Sequence, residues 1–428
     1  MNERAQQLSI SQLQYLTLLI CFLMNMLDGM DVMVISYTAP TIAKQWAVSS
    51  EALGVVFSTG LLGMALGAML IAPRADIIGR RAMIIICAAG MGISVFLTQY
   101  AQNVEQLVIF RLISGLGIGG MLASTATLTS EYAPAKTKDF WVSFAMSGYP
   151  IGAVLSGLVA AKVTPVYGWQ MMFQIAGVAT AATLPLIYFF LAESLDFLLK
   201  SQPQNALERA NQLLAKMGQG VLSALPTREK NIARASVNAL FQEGRKKATL
   251  QLWAAIFLVF ATLYFLTMWI PKLASAAGLS IELAIYAGMV FNLGAFFGII
   301  FQGYLSSRLG LRRIITYYFI ATAVLMGIFG WFKGSDVILL LFGLIGFGIQ
   351  GGFIGLYAVA ARLYPTEIRT TGVGWAIGLG RVGAIVGPIV GGLMIGAGLS
   401  MTTNFIIFAI PTLISGVFTM MIKSEGVS

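Results

Sequence analysis

Twelve apolar segments of roughly 20 residues, each long enough to cross a ~30 Å hydrocarbon core as a helix, set the limits on how this chain folds. They fall at about 15–39, 51–72, 82–101, 105–127, 140–162 and 170–192, and then at 251–275, 283–306, 314–333, 336–361, 370–394 and 400–422. With 58% hydrophobic and 10% charged residues, the 428-residue chain is too apolar for soluble α/β domains. The expected fold class is therefore an all-α polytopic membrane protein with twelve transmembrane helices. Residues 1–192 form one six-helix half, 193–249 a polar cytoplasmic linker, and 250–428 a second half. The polar stretch Met1–Gln14 lacks the basic, apolar and small-residue regions of a secretory signal, so the first apolar segment is expected to be kept as a helix. Cys21 and Cys87 both lie in apolar segments, where neither a disulfide framework nor a metal site is expected.

Orientation follows from the loops. Of the 27 Lys and Arg residues, 21 fall on the side of the N-terminus and four on the other, with Arg111 and Arg381 left inside helices. The positive-inside rule then puts both termini in the cytoplasm, as expected for a cytoplasmic (inner) membrane protein. The net charge of +10 is spread over short loops rather than gathered on one stripe, so nucleic acid is not an expected partner.

The two halves repeat. An offset of 231 residues carries Gly63 to Gly294, Gly67 to Gly298, Gly79 to Gly310, Arg81 to Arg312, Gly115 to Gly346, Gly117 to Gly348, Gly120 to Gly351 and Pro134 to Pro365. Small residues recurring on a helix face allow close helix contact in lipid. Two six-helix repeats around a midplane site are the plan of a transporter that works by alternating access.

The loop Ala72-Pro73-Arg74-Ala75-Asp76-Ile77-Ile78-Gly79-Arg80-Arg81 and its counterpart Gly303–Arg313 resemble the signature loops of the major facilitator superfamily. The first copy departs from the usual pattern at Ala72 and Ile77. Arg111–Gly117 on helix four adds to the resemblance. Within that superfamily, Asp28-Gly29-Met30-Asp31 on helix one is similar to the signature of the aromatic acid:proton symporters. Ser130–Pro134 and Tyr364–Arg369 look like that family's loops. The resemblance implies the major facilitator fold and import of a benzoate, hydroxybenzoate or muconate-like acid with protons.

An intramembrane charge is costly and marks a functional site by default. Asp28 and Asp31, three residues apart, share a helix face. Asp31 lies ~12 Å and Arg111 ~9 Å from the outer ends of their helices, so the two can meet. Arg381 lies ~16 Å deep, near the midplane. The repeat offset carries Asp28, Asp31 and Arg111 to Val259, Thr262 and Phe342, and Arg381 back to Pro150. The scaffold is repeated and the charges are not, which favours directional chemistry over a structural role.

The chain has no histidine, so a proton carrier has to be a carboxylate, and burial or a like-charged neighbour is what lets a carboxylate keep its proton near neutrality. The expected proton-coupling pair is Asp28 and Asp31: one of the two carries the proton, Asp28 being preferred for its depth, while Arg111 holds the other, and which of them it is stays open at this point. Arg381 is expected to bind the substrate carboxylate through a charge-assisted contact. Asn25, Asn292 and Gln350 are the polar groups expected to line the site, with Tyr264 and Trp375 offering rings for stacking. Asp76, Arg80, Glu131, Arg308, Glu367 and Arg369 sit at cytoplasmic helix ends and are expected to form gate contacts. No enzyme, cofactor or metal centre is expected, and the protein is expected to act as a monomer. Gly148-Tyr149-Pro150-Ile151-Gly152 loosely resembles a helix-five pattern of proton-coupled drug exporters, so a proton/drug antiporter is the alternative.

Overall fold

The computed structural model describes residues 10–134, 138–226, 237–332 and 335–422, and every regular element among them is helical. Twelve helices are long and apolar enough to cross a membrane: α1 (Gln12–Trp46), α2 (Ser50–Ile78), α3 (Arg80–Thr98), α4 (Val104–Tyr132), α5 (Phe144–Tyr167), α6 (Trp169–Phe190), α7 (Lys246–Ala276), α8 (Ile281–Ser306), α9 (Leu311–Trp331), α10 (Val337–Leu363), α11 (Thr371–Gly396) and α12 (Met401–Met421). All twelve coincide with the expected segments. Caps fix several starts: Ser11 at α1, Ser49 at α2, Asn103 at α4, Ser280 at α8 and Ser400 at α12 each accept a hydrogen bond from an early backbone N–H of the helix. Gly79 (φ 99°) and Gly310 (φ 89°), one in each signature loop, take the left-handed backbone that ends one helix and turns into the next.

The same pairings build both halves. Within the first, α1 packs on α5, α2 and α3 on α4, and α3 on α6; within the second, α7 packs on α11, α8 and α9 on α10, and α9 on α12. The repeated glycines lie on these contacts. A β-carbon on Gly63 overlaps the carbonyl of Leu112 and one on Gly67 that of Leu116, while one on Gly294 overlaps the carbonyl of Gly343 and one on Gly298 that of Phe347. Bare backbones let α2 press on α4 and α8 on α10. The sequence repeat is thus the trace of a repeated close crossing.

Helices α1 and α7 are the most enclosed, with 72% of each apolar window buried against 33–56% elsewhere. They meet across the halves, where Ser36 Oγ donates to the carbonyls of Thr267 (2.9 Å) and Met268 (3.0 Å). Ser36 and Thr267 are 231 residues apart, so equivalent positions touch on the pseudo-twofold axis. Helices α2 and α11 also meet, with Ser58 Oγ donating to the carbonyl of Ile385 at 2.7 Å. On α5 and α8, Gly157 and Gly288 both press on the ring of Tyr37. All these seam contacts lie in the parts of the helices away from the chain termini.

The linker lies on the side of the termini. Its helices Leu195–Ser201 and Ala206–Lys216 share a small apolar cluster of Phe197, Leu198 and Ala210. Ser201 Oγ donates to the Asp76 carbonyl at 2.7 Å, and Phe241 meets Trp253 of α7 edge to face at 5.3 Å, so the linker is fastened to both halves.

Candidate functional site

The α1 carboxylates are sealed in the first half: Asp28, Asp31 and Arg111 are 1%, 1% and 3% exposed. Gly29, between the aspartates, has no room for a β-carbon because the Tyr149 backbone of α5 lies against it. This close crossing of α1 and α5 buries both acids. Arg111 Nη1 lies 2.9 Å from Asp31 Oδ1, an ion pair reaching from α4 to α1. Asp28 is different, since neither of its buried carboxylate oxygens has a hydrogen-bond partner among the described residues. A charge in that position is poorly tolerated, because an isolated ion pays the full cost of leaving water.

Arg381 of α11 is half-buried and forms no ion pair among the described residues. Its Nη1 lies 3.5 Å from the Tyr264 hydroxyl. Two aromatic pairs at helical i, i+4 spacing wall this position. On α7, Phe260 stacks with Tyr264 (6.0 Å, 19°); on α10, Phe353 meets Tyr357 (5.0 Å, 64°); and Phe260 meets Phe353 edge to face at 4.7 Å. Gly380, beside Arg381, packs flat on Phe260. A fixed cation facing aromatic rings and phenol donors is a receptor for a planar anion.

The expected lining residues divide. Tyr264 joins Arg381, and half-buried Gln350 lies on the stripe of α10 that carries Phe353 and Tyr357. Asn25 and Asn292 do not line open space. Asn25 is 1% exposed with Nδ2 donating to the Cys21 carbonyl (2.9 Å), and Asn292 is 0% exposed with Nδ2 donating to the Gly288 carbonyl (2.9 Å). Both amides satisfy their own helices, and Asn292 lies on the α1/α8 seam beside Met33. Trp375 stands apart from Arg381, about 9 Å nearer the terminal side and on another face of α11. There it stacks on Trp253 at 6.0 Å and is 46% exposed. Sequence reasoning had Tyr264 and Tyr357 among its candidate aromatics but not Phe260 or Phe353; the i, i+4 spacing of the aromatic pairs was the available signal.

Several helix-end charges form contacts within one half. Asp76 pairs with Arg80 at 2.9 Å, and Glu131 Oε2 accepts from Ser194 Oγ at 2.6 Å. Glu193 Oε1 accepts from the backbone N–H groups of Arg81 (3.1 Å) and Ser194 (2.8 Å), tying the start of the linker to the signature loop. Arg308 lies over the Tyr304 ring at 4.5 Å, and Arg369 Nε donates to the Tyr364 carbonyl at 3.3 Å. The side chain of Glu367 lies outside the described residues.

Two pseudo-symmetric six-helix halves meeting around a buried, asymmetric set of charges define a membrane transporter rather than an enzyme. The profile of the Major Facilitator Superfamily matches residues 21–351 and 252–426, and the chain belongs to that superfamily. Its relatives are transporters of aromatic acids. It is 32% identical to the 4-hydroxybenzoate transporter PcaK of Acinetobacter baylyi over 94% of this chain and 89% of that one. It is 30% identical to the benzoate transport protein of the same organism (99% and 92%) and 32% identical to the gallate transporter of Pseudomonas putida (94% and 90%). Among solved structures, a D-xylose-proton symporter matches with a TM-score of 0.75 at 18% identity, covering 96% of this chain and 98% of that one. At that identity the likeness speaks for the fold.

Proposed function

We propose that the protein is a proton-coupled symporter that imports an aromatic acid anion of the benzoate or hydroxybenzoate class by alternating access. The observation that carries this reading is the contrast between the two intramembrane arginines. Arg111 is neutralised by Asp31 at 2.9 Å, whereas Arg381 has no counter-ion among the described residues and lies beside Tyr264, whose ring stacks into an aromatic wall of Phe260, Phe353 and Tyr357. A carboxylate on the substrate supplies the missing charge, its ring fits the wall, and the guanidinium fork offers a bidentate grip.

Asp28 is the proton carrier in this scheme. Its oxygens are buried with no hydrogen-bond partner among the described residues, so the neutral acid is the form that the site accommodates. Proton and substrate move together because an organic anion and a proton arriving at one site leave the midplane with less net charge to carry. The excess of basic residues in the loops on the terminal side supports cytoplasmic termini in an inner membrane, and in that orientation the seam contacts close the external side. This arrangement corresponds to the inward-facing arm of the cycle, with Asp76, Arg80, Glu131, Arg308, Glu367 and Arg369 positioned to reorganise as the cytoplasmic side closes. The scheme draws its residues from one protomer and calls on no cofactor.

The test is uptake into proteoliposomes with an imposed pH gradient, across benzoates, hydroxybenzoates and muconate. Accumulation of a ring acid that collapses when the gradient is abolished is the expected result. Uptake indifferent to the gradient removes proton coupling, and preference for neutral or cationic compounds favours the antiporter.

A further inference from the structure

Helix α11 crosses α7 at glycines, and the 231-residue repeat sorts them into two kinds. A β-carbon on Gly383 overlaps the Phe257 carbonyl of α7, and one on Gly152 of α5 overlaps the Met26 carbonyl of α1. Both pairs of residues stand 231 apart, so Gly383 belongs to the repeated scaffold. Gly380 does not. Its counterpart is Tyr149, and the residue it meets, Phe260, has Gly29 as its counterpart. At this level of the crossing the first half puts glycine on α1 and the aromatic residue on α5, and the second half does the reverse.

Gly29 meets backbone, whereas Gly380 meets a ring. A β-carbon on Gly380 would stand 2.6 Å from Cε2 and 2.7 Å from Cδ2 of Phe260, and 2.8 Å from Cγ2 of Ile256. Bare backbone at this position therefore lets the Phe260 ring lie on α11. That ring is the base of the wall beside Arg381. It stacks on Tyr264 (6.0 Å, 19°), whose hydroxyl lies 3.5 Å from Arg381 Nη1, and it meets Phe353 edge to face at 4.7 Å. Phe260 and Phe353 are 1% and 9% exposed, whereas Tyr264, Tyr357 and Arg381 are half-buried, so the open space of this cluster lies on the Arg381 side. The α7 and α11 backbones already touch at Gly383 and at Gly387, where a β-carbon overlaps the Ala261 carbonyl, and moving them apart would break that crossing. A ring pushed off α11 is thus driven toward Arg381.

Resting on the reading of Arg381 as the anchor of the substrate carboxylate, we infer that Gly380 determines which acids the site takes, as a positioning residue that acts through Phe260. With the Phe260 ring drawn back onto α11, the width of one aromatic ring stays free beside the guanidinium. A methyl at position 380 returns the Phe260 ring to that space. What then fits is a slender aliphatic acid, which offers Arg381 the same carboxylate. The class selected by glycine is the single-ring aromatic acid.

The experiment measures apparent affinities for benzoate and hexanoate in proteoliposomes, for wild type, Gly380→Ala, Phe260→Leu, the double variant and Gly378→Ala, with thermal unfolding in detergent as the check on folding. Gly378 is exposed and has nothing within 4 Å of a β-carbon, so Gly378→Ala keeps both affinities. Gly380→Ala is expected to weaken benzoate about tenfold, as overpacking beside a filled site does, and to leave hexanoate unchanged or tighter. Phe260→Leu weakens benzoate in the parent, where it removes a ring face, and strengthens it in the Gly380→Ala background, where it makes room for the methyl. Such a reversal is a coupling that independent residues do not show. If Gly380→Ala does not fold, the double variant is still expected to fold and to match the benzoate preference of Phe260→Leu. The inference is overturned if Gly380→Ala weakens both acids by the same factor, if Phe260→Leu weakens benzoate equally in both backgrounds, or if the double variant does not fold. Benzoate uptake that survives Arg381→Ala defeats the reading of Arg381 itself.

Discussion

Asp28 and Asp31 were indistinguishable by residue type, and their partners separate them. Asp31 has Arg111 at 2.9 Å, and Asp28 has no hydrogen-bond partner among the described residues. Asp28→Asn is therefore expected to abolish accumulation while leaving exchange and the folded protein intact. Asp31→Asn leaves the Arg111 guanidinium buried without its counter-charge and destabilises the fold by about 3–5 kcal/mol, read as a lowered melting midpoint in detergent. The two arginines separate in the same way. Arg381→Lys keeps the charge without the fork and is expected to weaken apparent substrate affinity about tenfold, whereas Arg381→Ala abolishes transport, as radiolabelled uptake will measure. Sequence reasoning reached Asp28, Asp31, Arg111 and Arg381 because charge inside an apolar segment stands out. It misplaced Asn25 and Asn292, since an amide that bonds its own helix one turn back needs no cavity, and no feature of the residue type reveals that choice.

Among the helices, α1 and α5 form the contact on which the site depends. Gly29 matters less for backbone freedom than for the missing β-carbon that lets the Tyr149 backbone approach. Gly29→Ala is expected to cost about 1–3 kcal/mol through overpacking, seen in thermal unfolding, and to impair transport. Gly90 on α3 is the control: nothing lies within 4 Å of a β-carbon there, so Gly90→Ala leaves stability equal or slightly raised. Hydropathy alone located all twelve spans, because a lipid-exposed helix needs about 20 apolar residues whatever it packs against. The aromatic wall around Arg381 was less legible. Aromatics are common in membrane helices, and only the crossing of α7, α10 and α11 distinguishes Phe260, Tyr264, Phe353 and Tyr357 from Trp375, which stacks on Trp253 instead.

For the molecule as a whole, the seam decides which side is closed. Two hydroxyls, Ser36 and Ser58, donate across it to backbone carbonyls of the other half. Each such bond contributes about 0.5–1.5 kcal/mol, so Ser36→Ala with Ser58→Ala is expected to shift the balance between closed and open by roughly 5- to 160-fold. A cysteine reporter at Asn292, which is buried on the seam, measures it. The reporter is expected to resist an impermeant thiol reagent added outside in the parent and to become labelled in the double variant. Cys21 and Cys87 are buried and give little background.

By itself the sequence determined the twelve spans, the two-half repeat, the sidedness of the basic loops and the identity of the four intramembrane charges. Each is a property of one segment against lipid or water, and lipid imposes its demands residue by residue. Helix depth already put Asp31 and Arg111 where they can meet, and only the tertiary structure decided that Arg111 takes Asp31 and not Asp28. Arg111 takes Asp31 because α4 crosses α1 at that height, and Arg381 keeps no counter-ion among the described residues because the helices around it bring phenol and phenyl rings. Such pairings depend on distances between segments far apart in the chain, and no periodicity within a segment encodes them.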